Sequence, residues 1–262
     1  MYQLNQIPSE AQIRKLIRKI RFGKNVFCPI CKGRRVFKYE NRYRCRDCRK
    51  PFSLLSGTWL SGTKLPYRQL WALLWCWQCR IPVKQARALL KLSDEAVRGW
   101  YRTFRLQVPE TAPILDTLVQ MDEAYGKGWT LVLAKQINTR KLAYVMLPGS
   151  VQRHHALAFV GQHIAPGSRV NTDGAAIYKK MEQWWPVTHQ SDIHSKFEFA
   201  QTSEIEGMFG CFRTFIRRMY HHGTAAKMPE YVREFCARFS SPEMFENPRV
   251  YLLNTLSRVP ID

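Results

Sequence analysis

Three acidic residues indicate where this chain could carry out chemistry. Asp122 follows a short apolar strand-like run, and Asp173 ends a second run of this kind. Glu206 lies on a helix-like stretch that carries Arg213 two turns later. Carboxylate oxygens are the ligands that Mg²⁺ and Mn²⁺ prefer. Two such ions roughly 4 Å apart support in-line displacement at a phosphodiester, although an Asp-Gly pair after a strand is also an ordinary turn.

Two Cys-x-x-Cys pairs in the N-terminal region predict a metal site of a different kind. They are separated by 13 residues and consist of Cys28, Cys31, Cys45 and Cys48. Four thiolates at this spacing close a tetrahedral Zn²⁺ site and leave no open position. We therefore expect one structural zinc in a ribbon over residues 25–55, with a pair of disulfides or an iron–sulfur site as the alternatives. A third pair, Cys76 and Cys79, lies in an apolar aromatic segment and is interpreted as core packing.

The formal net charge of +21 is concentrated in the N-terminal part of the chain. Residues 1–110 contain 24 Lys and Arg against 6 acids, whereas residues 111–262 contain 17 against 14. A basic region interleaved with aromatic residues suits binding to nucleic acid phosphates, although ribosomal and membrane-surface proteins are basic too. No apolar run reaches the roughly 18 residues of a membrane span. The first residues do not resemble a secretory signal, which favours a reducing compartment.

Helical patterns flank the ribbon on both sides. Residues 1–24 predict a short basic amphipathic helix, and residues 64–108 predict a helical region. Within that region, two predicted helices are separated by a tight turn, with Ser93 as the N-cap of the second helix. This is the sequence pattern of a helix-turn-helix. The exposed face of the second helix would offer side chains to the DNA major groove. The candidates are Arg98, Arg102 and Arg105. A helical hairpin whose arginines face solvent is the alternative.

Residues 114–240 follow a linker and have a different pattern. Several strand-like runs are followed by helices with a further strand between them, which predicts a mixed α/β sheet. The predicted strands are 117–121, 130–134, 142–147 and 169–172, and the predicted helices are 153–163, 175–183 and 204–218. Acids from neighbouring strands and a crossing helix would meet at one edge of the sheet, which is the layout of a ribonuclease-H-like fold. Residues 241–262 are interpreted as a C-terminal tail.

The ordered set of these motifs resembles the DDE transposases of the ISXO-type insertion sequences. The resemblance rests on the zinc ribbon and on the segments 121–126, 172–178 and 205–207, followed by Arg213 and the Tyr220-His221 pair. It covers about residues 10–240. The resemblance implies a zinc ribbon joined to a ribonuclease-H-like domain, two catalytic Mg²⁺ or Mn²⁺ ions, double-stranded DNA as partner and a homo-oligomer on that DNA. It also implies a cytoplasmic, nucleoid-associated protein of a prokaryote.

The resemblance assigns roles to individual residues. Asp122, Asp173 and Glu206 correspond to the metal-binding triad, and Arg213 stands where the family usually has Lys. Glu204 competes with Glu206 for the third place, but residues two apart on a helix point about 200° apart, so both cannot face one metal pair. We prefer Glu206 because of Gly207 and its spacing to Arg213.

Two further polar residues near the triad receive lesser roles. Glu123 should point away from Asp122 in an extended segment and lie at best outside the ligand set. His194 stands where the family commonly has His-Ser and is interpreted either as orienting water or phosphate or as an ordinary loop residue.

The predicted activity is cleavage of DNA at the ends of an insertion sequence and transfer of the cut strand into target DNA. Two other classes remain open on the sequence. One is a DNA-binding regulator or domesticated transposase without activity, and the other is a nuclease on the same fold that does not join strands.

Overall fold

The structure is a computed structural model that describes residues 7–40, 42–110, 112–192, 202–221 and 223–256. The chain forms two compact units. Residues 1–108 and 242–262 make up the first unit, and residues 109–241 make up the second. Among the described residues no helix is both long enough and apolar enough to cross a membrane.

The first unit begins with helix α1, Glu10–Phe22, and continues into a small ribbon. Ser9 and Gln12 form a capping box at the start of α1, and Ile13 and Ile17 are buried on its apolar side. The ribbon is an antiparallel sheet of three strands, which are β1 (Val36–Tyr39), β2 (Arg42–Cys45) and β3 (Pro51–Phe52).

The rest of the first unit is helical. Its helices are α2 (Tyr67–Gln78), α3 (Val83–Leu90), α4 (Asp94–Gln107) and the C-terminal helix α8 (Pro248–Leu256). Lys91 at φ 52° ends α3 in the left-handed region, and the Ser93 hydroxyl accepts from the Ala96 N–H to begin α4. The tight turn and the N-cap agree with the sequence prediction.

Helix α8 belongs to the core of this unit. Tyr251 is fully buried, its ring centroid lies 5.5 Å from that of Trp77, and its hydroxyl donates to the Phe104 carbonyl oxygen at 2.8 Å. The Gln78 amide donates to the Met244 carbonyl oxygen. Part of the segment that the sequence suggested as a tail, residues 241–262, therefore packs against the N-terminal helices.

The second unit is built on a five-stranded mixed sheet. The strands are β4 (Leu118–Gly126), β5 (Trp129–Gln136), β6 (Leu142–Pro148), β7 (Arg169–Asp173) and β8 (Thr188–Asp192). Their order is β6-β5-β4-β7-β8. The pairs β4–β5 and β5–β6 are antiparallel, whereas β4–β7 and β7–β8 are parallel. The central strand β4 thus pairs with an antiparallel strand on one side and a parallel strand on the other.

The two faces of this sheet carry different helices. One face, with Val119 and Met121 of β4, packs with Ala156 and Phe159 of α5 (Arg153–His163) in one hydrophobic core. Helices α6 (Ser203–Tyr220) and α7 (Met228–Ser240) contact strands of the sheet. Gln120 of β4 bonds to the start of α6, so residues of even number on β4 face α6.

Some predictions for this unit were wrong in detail. The helix expected at 175–183 is two 3₁₀ turns, Ala176–Tyr178 and Met181–Gln183, because the backbone is extended at Lys179 and left-handed at Lys180. The acids expected at the end of the first strand lie inside β4, which continues to Gly126. Strand β8 and helix α7 were not predicted.

Candidate functional site

Three carboxylates meet where the parallel pairing of β4 and β7 ends. One oxygen each from Asp122, Glu123 and Asp173 lies within 4.8 Å of the others, and all three side chains are half-buried. The sequence predicted that Asp122 and Asp173 would come together, and the structure places them so. Oxygens at these separations suit a hard divalent cation.

The cluster forms because the edge of β4 is open at this point. Strand β4 pairs with β7 only from Leu118 to Gln120. Beyond that residue the Asp122 carboxylate accepts from the backbone N–H of Glu123 at 2.7 Å. The Asp173 carboxylate accepts from the Ala175 N–H at 3.0 Å in a tight turn at the end of β7. Each aspartate is therefore held by a backbone N–H one or two residues later in the chain.

Glu123 is a correction to the sequence analysis. Because side chains alternate along β4, Glu123 does lie on the α5 side of the sheet. There the hydroxyl of the buried Tyr178 donates to the Glu123 carboxylate. The exposed Tyr125 hydroxyl donates to the other oxygen at 3.1 Å. Around the open edge, however, Glu123 still reaches Asp122 and Asp173. The expectation that alternation would keep Glu123 away from the two aspartates was wrong. Beyond Gln120, β4 has no partner strand on the β7 side, so side chains from both faces can meet around that edge.

The crowding of negative charge changes the acidity of these groups. Burial raises the pKa of Asp122 to about 7, and Glu123, Asp173 and Glu206 add to the increase. The backbone N–H of Glu123 offsets part of it. Burial likewise raises the pKa of Glu123, while the bond from Tyr178 opposes the increase. A bound cation would relieve this repulsion, so the residues present fit a divalent metal.

Helix α6 carries the two glutamates that compete for the third place. Glu206 is half-buried, accepts from the Thr202 hydroxyl at 3.2 Å, and its charge acts on Asp122. Glu204 instead pairs with the buried Lys135 on β5. Glu204 is therefore engaged elsewhere, whereas Glu206 as the third ligand stays a prediction, because its oxygens lie outside the cluster of the other three acids.

Arg213 lies farther along α6 with its side chain exposed. Its Nε donates to the Phe209 carbonyl oxygen at 3.3 Å within the same helix. Of the other residues weighed from the sequence, His194 lies outside the described residues.

The four cysteines of the ribbon form a second cluster. The Sγ atoms of Cys28 and Cys48 are 3.7 Å apart, and those of Cys31 and Cys45 are 3.6 Å apart. A tetrahedron with Zn–S bonds of about 2.3 Å has edges of about 3.8 Å, so the four thiols fit one structural zinc. Disulfides are excluded here, because a sulfur–sulfur bond would be about 2 Å.

The local backbone explains this geometry. Lys32 and Arg49, each following the second cysteine of its pair, both have φ near 60°. A Cβ at Gly33, next to the first pair, would lie 2.2 Å from an Asp47 carboxylate oxygen, so a larger residue there would displace the Asp47 side chain.

The arginines of α4 divide into two groups. Arg98 and Arg102 are exposed, as the sequence predicted. Arg105 is only 5% exposed and cannot belong to an exposed face, which corrects that part of the prediction. The helix turns by about 100° per residue, and this brings position 105 into the same buried sector as Tyr101 and Phe104.

Comparison with known proteins bears on both clusters. A family model described as a transposase zinc-ribbon domain matches residues 8–51, and one described as an ISXO2-like transposase domain matches residues 127–240. The two matched segments cover more than half of the chain. The chain belongs to the ISXO2-like transposases with an N-terminal zinc ribbon. The transposase segment includes Asp173 and Glu206, whereas Asp122 lies just before it.

One curated relative supports the same family. A protein of Halobacterium salinarum described as an uncharacterized protein in transposable element ISH50 is 25% identical over 134 residues. The similarity covers 49% of this chain and 46% of that protein. The chain therefore spans about half the length of the curated relative it matches.

Two residues that support the site were missed by the sequence analysis. Tyr178 lies in the segment 175–183, whose pattern predicts a helix, and Gln120 lies in the strand-like run 117–121; neither pattern indicates a role in the site. Period-two alternation from Asp122 back to Gln120 could have placed Gln120 on the same face. No local signal in the sequence indicates that Tyr178 would reach Glu123.

Proposed function

We propose that this transposase cleaves DNA at the ends of its insertion sequence and transfers the freed strand into target DNA, using divalent metal ions. The observation that carries the proposal is the carboxylate cluster of Asp122, Glu123 and Asp173, with Glu206 on α6 acting on Asp122. The match to a transposase domain supports the same reaction class.

We further propose that the second unit is a ribonuclease-H-like domain. The support is its mixed five-stranded sheet, with acids on the adjacent parallel strands β4 and β7 and on helix α6. Such a layout brings carboxylates from three elements to one edge.

In this proposal Asp122, Asp173, Glu123 and Glu206 would hold two Mg²⁺ or Mn²⁺ ions. The bound ions would lower the pKa of an attacking water and stabilise the leaving 3′ oxygen. In cleavage the water oxygen joins the phosphorus and the 3′ oxygen departs as a hydroxyl. In strand transfer this 3′-hydroxyl attacks a target phosphodiester, and the target strand's own 3′ oxygen leaves. Arg213 would offset the charge that develops on the phosphate.

We propose double-stranded DNA as the partner of the first unit. That unit holds most of the excess positive charge, and Arg98 and Arg102 are exposed on α4. We read α3 and α4 as a helix-turn-helix and the zinc ribbon as its neighbour in end recognition. A homo-oligomer on DNA is part of the proposal, because two ends must be cut and joined together.

The test is a cleavage and strand-transfer assay with purified protein, a duplex containing the flanking genomic ends, an acceptor plasmid and Mg²⁺ or Mn²⁺. Asp122→Ala, Asp173→Ala and Glu206→Ala should each abolish cleavage and leave DNA affinity nearly intact. Glu204→Ala should be much milder, because Glu204 pairs with Lys135. An active Glu206→Ala beside an inactive Glu204→Ala would show that the third ligand is on the other helix face.

The same assay separates the other function classes. A regulator would bind its site equally well with and without added Mg²⁺ or Mn²⁺ and would never nick it. A nuclease would release the 3′ end without joining it to the plasmid.

A further inference from the structure

Helix α6 begins without a cap of its own. Thr202 occupies the N-cap position, but its side chain makes no capping hydrogen bond. The amide oxygen of Gln120, from strand β4, accepts instead from the backbone N–H groups of Glu204 and Ile205, both at 3.0 Å. These are the groups that an N-cap side chain normally satisfies. A buried side chain of the sheet thus caps the helix from outside.

The Thr202 hydroxyl makes a different bond. It donates to a carboxylate oxygen of Glu206 at 3.2 Å. Thr202 is 1% exposed and Gln120 is 5% exposed, so solvent does not compete strongly for either side chain. Thr202 is thus bonded to Glu206 while Gln120 accepts from the first N–H groups of α6.

Gln120 also connects this helix to the first acid. It lies two residues before Asp122 on β4, and the two side chains share one face of the strand. One amide group therefore fixes the helix of Glu206 relative to the strand of Asp122. The ion pair of Lys135 with Glu204 holds the opposite side of the same helical turn and keeps Glu204 turned away.

We propose that Gln120 is a positioning residue that holds Glu206 toward the metal site, acting through the cap of α6 and the Thr202 hydroxyl. The inference rests on the proposed function. Without the Gln120 acceptor, Thr202 can rotate to cap its own helix, as threonine commonly does, and Glu206 loses its donor.

The first experiment compares three full-length variants in Mn²⁺ binding, followed by EPR or calorimetry, and in single-turnover cleavage. Gln120→Leu removes the acceptor and should weaken Mn²⁺ binding and slow cleavage by roughly 10–100-fold, the usual effect of losing a partner that orients a ligand. Gln120→Glu keeps an acceptor at the helix start and should restore both to within a few-fold. Gln136→Leu is the matched control.

Gln136 is a suitable control because it is also a buried glutamine of this sheet. It is 6% exposed and its amide oxygen also accepts a backbone N–H, but from Asp116 rather than from α6. A general loss of stability would affect Gln136→Leu equally. Equal effects in both leucine variants would overturn the inference.

Hydrogen exchange tests the cap by Gln120 separately from the bond between Thr202 and Glu206. Gln120→Leu should raise exchange at the amides of Glu204 and Ile205, whereas Thr202→Val should leave them protected and still weaken Mn²⁺ binding. Unchanged protection in Gln120→Leu would overturn the external cap.

A double-mutant cycle tests the route through Glu206. In a Glu206→Ala background, Gln120→Leu should cause no further loss of Mn²⁺ affinity, because the two changes remove the same effect. If the two substitutions caused additive losses of Mn²⁺ affinity, Gln120 would not act through Glu206, and the inference would be overturned. Failure of the proposed function appears differently: the unchanged protein would neither bind Mn²⁺ at the cluster nor cleave DNA, while the exchange result at α6 would stand.

Discussion

Asp122→Asn should stabilise the metal-free protein at neutral and alkaline pH. Burial and the neighbouring carboxylates raise the pKa of Asp122 to about 7, well above its value of about 3.9 in an unfolded chain. The folded protein therefore keeps a proton that the unfolded chain releases. The free energy of unfolding should fall as the pH rises from about 4 to about 7 and change little from this source above that range.

The magnitude follows from the size of the increase. A difference of about three pKa units corresponds to about 4 kcal/mol, and partial access of solvent to the carboxyl reduces this to about 2–4 kcal/mol. The asparagine variant should avoid this cost, because it carries no charge at any pH. At pH 8 we expect it to be more stable than the unchanged protein by that amount, and at pH 4.5 the two should be nearly equal.

The measurement is denaturant unfolding at pH 4.5, 6 and 8 without added Mg²⁺ or Mn²⁺, so that the structural zinc is retained. Glu110→Gln is the control, since it neutralises an exposed carboxyl of the same unit. Mg²⁺ at a thousand times its dissociation constant should offset this advantage by stabilising the unsubstituted protein by about 4.1 kcal/mol, and it should have little effect on the variant. An advantage of Asp122→Asn that is absent, or equal at all three pH values, would refute the reasoning.

The remaining predictions concern the first unit. Cys45→Ser should remove stoichiometric zinc in elemental analysis, whereas Cys76→Ser should not, because Cys76 lies in the helical core away from the four-thiol cluster. Arg98→Ala should weaken duplex binding and reduce the slope of log affinity against log salt concentration by about one. Arg105→Ala should mainly lower the melting temperature, because Arg105 is buried. The opposite pattern would contradict the burial of Arg105. Tyr251→Ala should lower the free energy of unfolding by about 3–5 kcal/mol, and a neutral result would show that the C-terminal helix is not part of the core.

Elements with strong local patterns could be predicted from the sequence. The apolar runs of β4 to β7 and the helices α5 and α6 lie where periodicity placed them. Strand β8 was missed because its sequence, Thr188–Asp192, is polar, and it forms by pairing in register with β7. The helix expected at 175–183 failed for a related reason, since the turn after Asp173 and the core contacts of Tyr178 override a weak local preference.

The sequence by itself predicted the cluster of four cysteines and the proximity of Asp122 and Asp173. Two Cys-x-x-Cys pairs specify a four-thiol site through local spacing, and an acid next to a strand run marks Asp122 and Asp173. Only the tertiary structure decided which other acid lies beside them and where the start of α6 is bonded. Glu123 reaches the cluster because β4 has no partner strand on that side beyond Gln120, and the amide oxygen of Gln120 accepts from the start of a helix 84 residues away in sequence. Contacts between distant segments depend on how strands and helices pack, and no local pattern records that packing.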